Sequence, residues 1–462
     1  MKEPSSFGEY AAQVGQIMRE LGCRILSEAL EECNTALEDS VRRQRDWQIK
    51  DRAEKHLLTT LGTVSFTHTR FQHKTTKKTA YLLDRIMGLE PHARLSMDAR
   101  ERLLEEAARG SYEKAGELSG GAGRVSRQTV MRHVHKQSFP VRKEEAPKEK
   151  RRVKYLYVEA DEDHIALQFH EKKGDIKRWK GHGDNGRIIK LVYVHEGYQD
   201  KESKRKELKG VRYFGGLYGG KENETLWREV KEYIERTYET EGIERIYFQS
   251  DGGSWMKKGL EILGGTFVLD EFHLRKYVRR LARAAGEEEK EEELMRWVEK
   301  GERKKLREWA EEKGEKVSER ERKRMEESEG YLERNWKGVR TRVRKEEGVI
   351  GSSTEGHISH VLSARMSSRP MGWSEEGAGK LSRLRIYWKN GERIGKLLRE
   401  SGKEKKEEGE EEKRCLSAEE LIRWERRSGK RNGKYMEALQ AGISSQAKMR
   451  MYFQESIGKI CG

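Results

Sequence analysis

The sequence predicts an α/β protein with a mixed sheet interrupted by a helical insertion, preceded by a mostly helical N-terminal region. Three observations lead there. Between about residues 153 and 270, short apolar runs alternate with helical patterns. From about 275 to 350 the residues are almost all helix-forming or charged, as in "RRLARAAGEEEKEEELMRWVEKGERKKLREWAEEK". Before residue 137, apolar positions recur mainly at helical spacing.

Composition sets the frame. Of 462 residues, 34% are hydrophobic and 39% are charged, so the core is concentrated in part of the chain. Lys plus Arg number 97 against 81 Asp plus Glu, a formal net charge of +16 that favours a polyanionic partner. Cys23, Cys33, Cys415 and Cys461 form no CxxC pair, which argues against a structural zinc site or disulfide framework and fits a reducing cytoplasm. The N-terminus lacks the apolar run of a signal peptide, and no stretch has the length of a membrane span.

Residues 1–95 are read as a long helix over about 6–58 and then a small hairpin. The helix rests on Val14, Ile17, Met18, Leu21, Ile25, Leu30, Cys33 and Leu37, a packing or dimer seam. In the hairpin, Val64 and Phe66 alternate with polar residues and Lys77-Lys78 sits near the turn. Residues 96–136 give helices over Met97–Ala108, Tyr112–Leu118 and Arg127–His135, the last capped by Ser126. This is either a helix-turn-helix, with Arg127, Gln128, Thr129 and Arg132 facing DNA, or a plain three-helix bundle. Residues 137–152, with Pro140 and Pro147, form a linker.

Residues 153–395 hold the α/β domain. Strands are expected at 154–160, 164–170, 187–196, 245–249 and 266–270, with a weaker one in "VRYFGGLYG". Helices are expected in "ENETLWREVKEYIERTYE" and "SWMKKGLEIL". The insertion at about 275–350 reads as a solvated, ion-paired helical face punctuated by Trp297, Trp309 and Trp336. Residues 396–462 are a charged segment, "SGKEKKEEGEEEKR", followed by C-terminal helices.

Four acids fall where apolar runs stop. "YLYVEADEDH" gives Asp161, with Asp163 two residues on. "YFQSDGG" gives Asp251, where a turn role is the bland alternative. "TFVLDEFHL" gives Asp270, with His273 three residues later. Carboxylates gathered at the ends of neighbouring strands repel one another unless a cation sits between them. Magnesium suits such an oxygen-only site, and two metals can serve the attacking and leaving oxygens. Glu355, in "GSSTEGHISHVLSARMSSRPMGWS", is the third candidate ligand, although Ser352-x-x-Glu355 also has the pattern of a capping box. Asp184, in "GHGDNG", reads as a loop residue.

This arrangement, an Asp in the first strand, an Asp after the fourth and a Glu on a later helix, resembles a ribonuclease-H-like DDE transposase. "VEADEDHIALQ", "SDGGSW", "LDEFHLRKYV" and "EGHISHVLSARMSSRPMGWS" resemble the ISLre family of bacterial insertion-sequence transposases over about residues 50–390. "DEFH" is also similar to the C/DxxH signature of Mutator-like transposases. The resemblance implies a ribonuclease-H-like mixed sheet and a metal triad of Asp161, Asp251 and Glu355, with Asp161 preferred over Asp163. The preference for Asp161 rests on its directly terminating the strand. The resemblance also implies a DxxH pair of Asp270 and His273, His273 assisting catalysis, and a two-metal Mg2+ site that also accepts Mn2+. Arg365 and Arg369 are candidates for phosphate contacts.

The expected activity is transposition: binding of terminal inverted repeats, metal-dependent strand cleavage, and strand transfer into target DNA. Double-stranded DNA is the expected partner, with a homodimer or larger assembly in the active complex. The location is the bacterial cytoplasm, on the nucleoid when DNA is bound, and no membrane is involved. A non-catalytic sequence-specific DNA-binding protein derived from a decayed transposase is the alternative, and a nuclease that cuts without joining is a third reading.

Overall fold

A computed structural model describes residues 6–90, 92–118, 123–139, 149–169, 178–179, 182–183, 185–200, 207–369 and 371–401. Asp184, Cys415, Cys461, the "SGGA" loop and the segment after residue 401 lie outside the described residues. The chain divides into two compact units, Met1–His133 with Ile394–Gly462, and Val134–Arg393. The breaks at 133/134 and 393/394 compare with the sequence-derived 136/137 and 395/396.

In the first unit, helix α1 (Phe7–Asp39) starts at Ser6, whose hydroxyl accepts the amide of Glu9 at 3.3 Å. A short α2 (Val41–Asp46) follows. Residues 47–58, expected to continue the helix, are instead strand β1 (Trp47–Leu58). With β2 (Thr63–His73) and β3 (Thr79–Tyr81) it makes a three-stranded antiparallel sheet. The charged sequence of β1 favours helix locally, but the ladder to β2 and cross-strand pairs such as Asp51–Arg70 override that preference. Leu37 and Cys33 pack with Val64, Phe66 and Phe71 of the sheet and with Leu82 and Leu83 of α3 (Leu82–Ile86).

Next come α4 (Met97–Arg109), α5 (Tyr112–Leu118) and α6 (Arg127–His135), which carries the chain into the second unit. Ser126 Oγ accepts the amide of Thr129 at 3.3 Å, the expected cap. At Gly116 a Cβ would stand 2.0 Å from the carbonyl oxygen of Val125, so only glycine permits this approach. The last described helix, Ile394–Ser401, returns to this unit, where the Gly395 amide donates to Glu101 at 2.9 Å.

The second unit is built on a six-stranded mixed sheet. Its strands are β4 (Tyr155–Leu167), β7 (Gly186–His195), β8 (Arg212–Gly216), β9 (Arg245–Ser250), β10 (Thr266–Leu269) and β11 (Gly372–Trp373). A two-residue pair, β5 (Arg178–Trp179) and β6 (His182–Gly183), precedes β7. The order is β10-β9-β4-β7-β8. Strands β4, β9 and β10 are parallel, while β7 and β8 continue antiparallel from β4.

The two strands expected at 154–160 and 164–170 are one strand, β4. "EADED" does not break it, because side chains alternate between the two faces. Leu156, Val158 and Ala160 face a core with α7 (Glu222–Thr237) and α8 (Ser254–Leu263), including Trp227, Val230, Ile234 and Met256. Tyr157, Glu159, Asp161 and Asp163 take the other positions in register.

The insertion has a core of its own. It comprises α9 (Glu271–Ala284), α10 (Glu291–Lys300), α11 (Arg303–Gly314), α12 (Glu319–Arg334) and α13 (Trp336–Val343). Leu281, Leu294, Val298, Leu306, Met325, Leu332 and Val339 are buried together, with Trp297 and Trp309 edge to face at 6.4 Å. The ion-paired surface read from the sequence is therefore the outside of a packed subdomain. A helical stretch follows, α14 (Thr354–Ile358), a π-turn at Ser359–Ser363 and α15 (Ala364–Met366), then β11 and α16 (Glu375–Lys389). No helix among the described residues is long and apolar enough to cross a membrane.

Candidate active site

Strand register brings the acids to one level. Glu159 pairs with Gln249, and Ser250 pairs with Leu269. Asp161 lies two residues past the last β4–β9 pair, and Asp251 and Asp270 each directly follow the last paired residue of their strands. The described strands leave β4 unpartnered on the β9 side between 160 and 165, because β9 has ended and β11 joins only at Ala166. Asp161 therefore lies in mid-strand rather than at a strand end, beside a gap in the sheet.

Each acid has a distinct environment. Asp161 is 9% exposed, and the Glu162 amide donates to its Oδ1 at 2.8 Å. Burial pushes its pKa up to about 7; the charges of Asp251 and Glu355 add to the rise and that of His273 opposes it. Asp251 sits in the turn from β9 to α8, where its Oδ1 accepts the Gly253 amide at 2.9 Å. Its carbonyl accepts the Tyr331 hydroxyl at 2.6 Å, tying the insertion to the site. Gly252 has φ +82°, and a Cβ there would meet Asn335 Oδ1 at 2.3 Å.

The Asp270–His273 pair is a helix cap that also orients an imidazole. Asp270 Oδ1 accepts the His273 amide at 3.0 Å and lies 3.2 Å from His273 Nδ1. Burial disfavours the Asp270 charge, but hydrogen bonds from His273 and Ser352 outweigh it and hold the carboxyl below its ordinary pKa. Burial likewise opposes charge on His273, yet Asp270, Asp251 and Asp161 together hold its pKa above the ordinary value.

Glu355 is exposed in the first turn of α14. The capping-box reading does not hold. The helix begins after Ser353, which makes no side-chain cap, and Ser352 Oγ donates to Glu159 instead. Glu159 is fully buried and was missed in the sequence. It accepts from the Tyr193 hydroxyl at 2.7 Å, the Ser353 amide at 3.1 Å and the Thr354 hydroxyl at 2.6 Å, and lies 3.1 Å from His195 Nε2. The alternation in "YLYVEADED", which places Glu159 on the face of Asp161, is the signal that would have found it. Asp163 is held by the Ser367 hydroxyl at 2.8 Å.

The arginines separate. Arg365 is 6% exposed and its guanidinium lies over the Trp373 ring at 5.0 Å, so burial removes it from the expected phosphate contacts. Arg369 is exposed. On α6, Arg127, Gln128 and Arg132 are exposed while Val130 and Val134 are buried. Thr129 is half-buried, with its hydroxyl 3.0 Å from that of Ser126.

Among the described residues, no three His, Cys, Asp or Glu side chains stand close enough to hold a metal ion as placed. Asp161, Asp251 and Glu355 are coupled by charge but not gathered at ligand distance. Three carboxylates are an oxygen-only donor set of the kind that suits a hard divalent cation.

The profile described as "Uncharacterised protein family (UPF0236)" matches residues 1–406. A UPF0236 protein of Caldanaerobacter subterraneus subsp. tengcongensis is 33% identical over 396 residues, covering 85% of this chain and 79% of its own length. Its name joins eleven locus designations. A second from the same organism is 34% identical over 385 residues, covering 83% of this chain and 78% of its own length, and its name joins four.

Proposed function

We propose that this chain, which belongs to the UPF0236 family, is a DDE transposase of an insertion sequence with a ribonuclease-H-like catalytic unit. One observation carries the reading. Three parallel strands in the order β10-β9-β4, extended antiparallel by β7 and β8, carry Asp161 in the middle of β4 and Asp251 in the turn just past the end of the neighbouring β9. A relative whose name joins eleven loci of one organism adds support, since repeated copies are what a mobile element leaves.

Asp161, Asp251 and Glu355 would hold Mg2+ or Mn2+. A divalent cation bound there stabilises charge developing on the phosphate and lowers the pKa of the attacking hydroxyl or water. Asp270 orients His273 and favours its protonated form, in which the ring would donate a hydrogen bond to a phosphate oxygen. Arg127, Gln128 and Arg132 are the candidate readers of the inverted repeats, with Thr129 fixing the helix start. The active complex pairs two ends and so contains at least two copies, working on DNA in the bacterial cytoplasm. A DNA-binding protein without catalysis is the competing reading, and the exposed α6 face would serve it equally.

The test is cleavage of duplex DNA carrying the element ends, with Mg2+, by the wild type and Asp251→Asn. The variant should bind as the wild type does and fail to cleave or join. Undiminished cleavage by the variant would exclude the triad. Binding without cleavage by the wild type would favour the non-catalytic reading.

A further inference from the structure

Helix α9 starts at the Asp270–His273 pair, so its outer face begins at the candidate active site. That face carries Phe272, Arg275, Lys276, Arg279 and Arg283, a stripe about 16 Å long at 1.5 Å per residue. Helix α12 packs alongside and closes a groove of about 630 Å3. Arg280 and, from α12, Arg324 join the lining, and Glu321 is the single acid in it.

Charged helix faces are usually solvated and mixed in sign, as elsewhere on this insertion, where Arg307–Glu311 and Lys316–Glu312 alternate. This groove differs in three ways. Its lining is almost all of one sign. Lys276 and Arg324 have no carboxylate partner among the described residues. An exposed aromatic stands at its active-site end, for Phe272 is 51% exposed, edge to face with His273 at 5.3 Å and 5.8 Å from Lys276 Nζ.

The other cations are each paired with a carboxylate: Arg275 with Glu271 at 3.2 Å, Arg279 with Glu291 at 2.8 Å, Arg283 with Glu288 at 3.4 Å, and Arg280 with Glu327. These pairs are solvent-exposed and so contribute little, which makes exchange of carboxylate for phosphate inexpensive. Guanidinium binds either anion through the same bidentate geometry.

We infer that this groove is a phosphate track for the DNA strand beside the cleavage site, with Phe272 stacking on an unpaired base at its mouth. The inference rests on the catalytic reading above for its choice of ligand. The combination of a one-signed channel with an aromatic platform is the chemistry of single-strand binding.

The experiment uses the full chain in EDTA, so that no cleavage occurs, with a fluorescent duplex of roughly 30 base pairs carrying a single-stranded 3′ tail. Affinity is measured against salt for the wild type and the Lys276→Ala/Arg324→Ala double variant, neither side chain having an ion pair to lose. The slope of log affinity on log salt should fall in magnitude by about 1.4 to 1.8, two phosphates' worth of released counterions. Phe272→Ala should weaken the tailed duplex by roughly five- to a hundred-fold and leave a blunt duplex unchanged. An unchanged salt slope overturns the track, and equal loss on both duplexes overturns the stacking role. Because cleavage is absent from this assay, failure here is separable from failure of the Asp251→Asn test.

Discussion

The Thr354 hydroxyl donates to Oε2 of Glu159 at 2.6 Å, and the next residue is Glu355. One buried carboxylate on β4 thus fixes the start of the helix that presents the third acid. Burial raises its pKa, but hydrogen bonds from His195, Thr354 and Tyr193 prevail and keep it charged. Glu159→Gln keeps the shape and removes the charge. The expected outcome is a 10- to 100-fold fall in cleavage, about what loss of an outer carboxylate costs a metal site, with a raised Mg2+ requirement. Titrating Mg2+ against cleavage rate checks it. A lowered melting temperature with the wild-type Mg2+ requirement would reduce Glu159 to a structural role.

In the sequence, the alternation of strands and helices was legible, and α5 and α8 were read to their end residues. Where the reading failed, tertiary contacts had overruled local pattern. β1 looks like helix because its charges are those of a helix, and only pairing with β2 makes it a strand. β4 looked like two strands because four acids interrupt its apolar run, although three of them share one face. Arg365 read as a phosphate contact because nothing in "SARMSSRP" announces the Trp373 ring beneath its guanidinium. Asp251 was legible through its glycines, whereas its link to Tyr331, 80 residues away, was not.

Asp161 makes metal-free stability fall with rising pH. Its folded pKa, about 7, exceeds its ordinary value of 3.8. Its contribution is therefore fully present below about pH 4 and is lost as pH rises through about 7. His273, also raised, acts in the same direction. The Asp161 shift is worth on the order of 4 kcal/mol when the group is fully ionised. Melting temperatures in EDTA should drop between pH 4 and 8 for the wild type and drop less for Asp161→Asn. At pH 8, Mg2+ should recover stability in the wild type and much less in the variant. Parallel pH profiles for the two proteins would show that Asp161 is not the group responsible.

The α5–α6 turn offers a test outside the candidate active site. A Cβ on Gly116 would press on the Val125 carbonyl at 2.0 Å, and the Val125 amide donates to the Gly116 carbonyl at 2.9 Å. Both are backbone, so relief requires the turn to open and α6 to shift. Gly116→Ala should weaken binding to end-containing DNA at least about ten-fold, the effect of a 1.4 kcal/mol loss. Circular dichroism should show little lost helix. Wild-type affinity in a folded variant would detach α6 from DNA recognition.

Gly252 tests the Asp251 turn from the opposite direction. Alanine there meets two separate obstacles. A positive φ costs an L-residue about 1–2 kcal/mol, and the new methyl collides with the Asn335 side chain. Asn335 follows α12, whose Tyr331 holds the Asp251 carbonyl, so the collision pushes on the support of the acid itself. Gly252→Ala should reduce single-turnover cleavage at least about ten-fold, since small displacements of reacting groups have effects of that size. Adding Asn335→Ala removes the collision and leaves only the backbone strain. The double variant should therefore cleave faster than the product of the two single effects predicts, a coupling of roughly 0.5–3 kcal/mol. Strict additivity would mean that the contact with Asn335 does not set the position of Asp251.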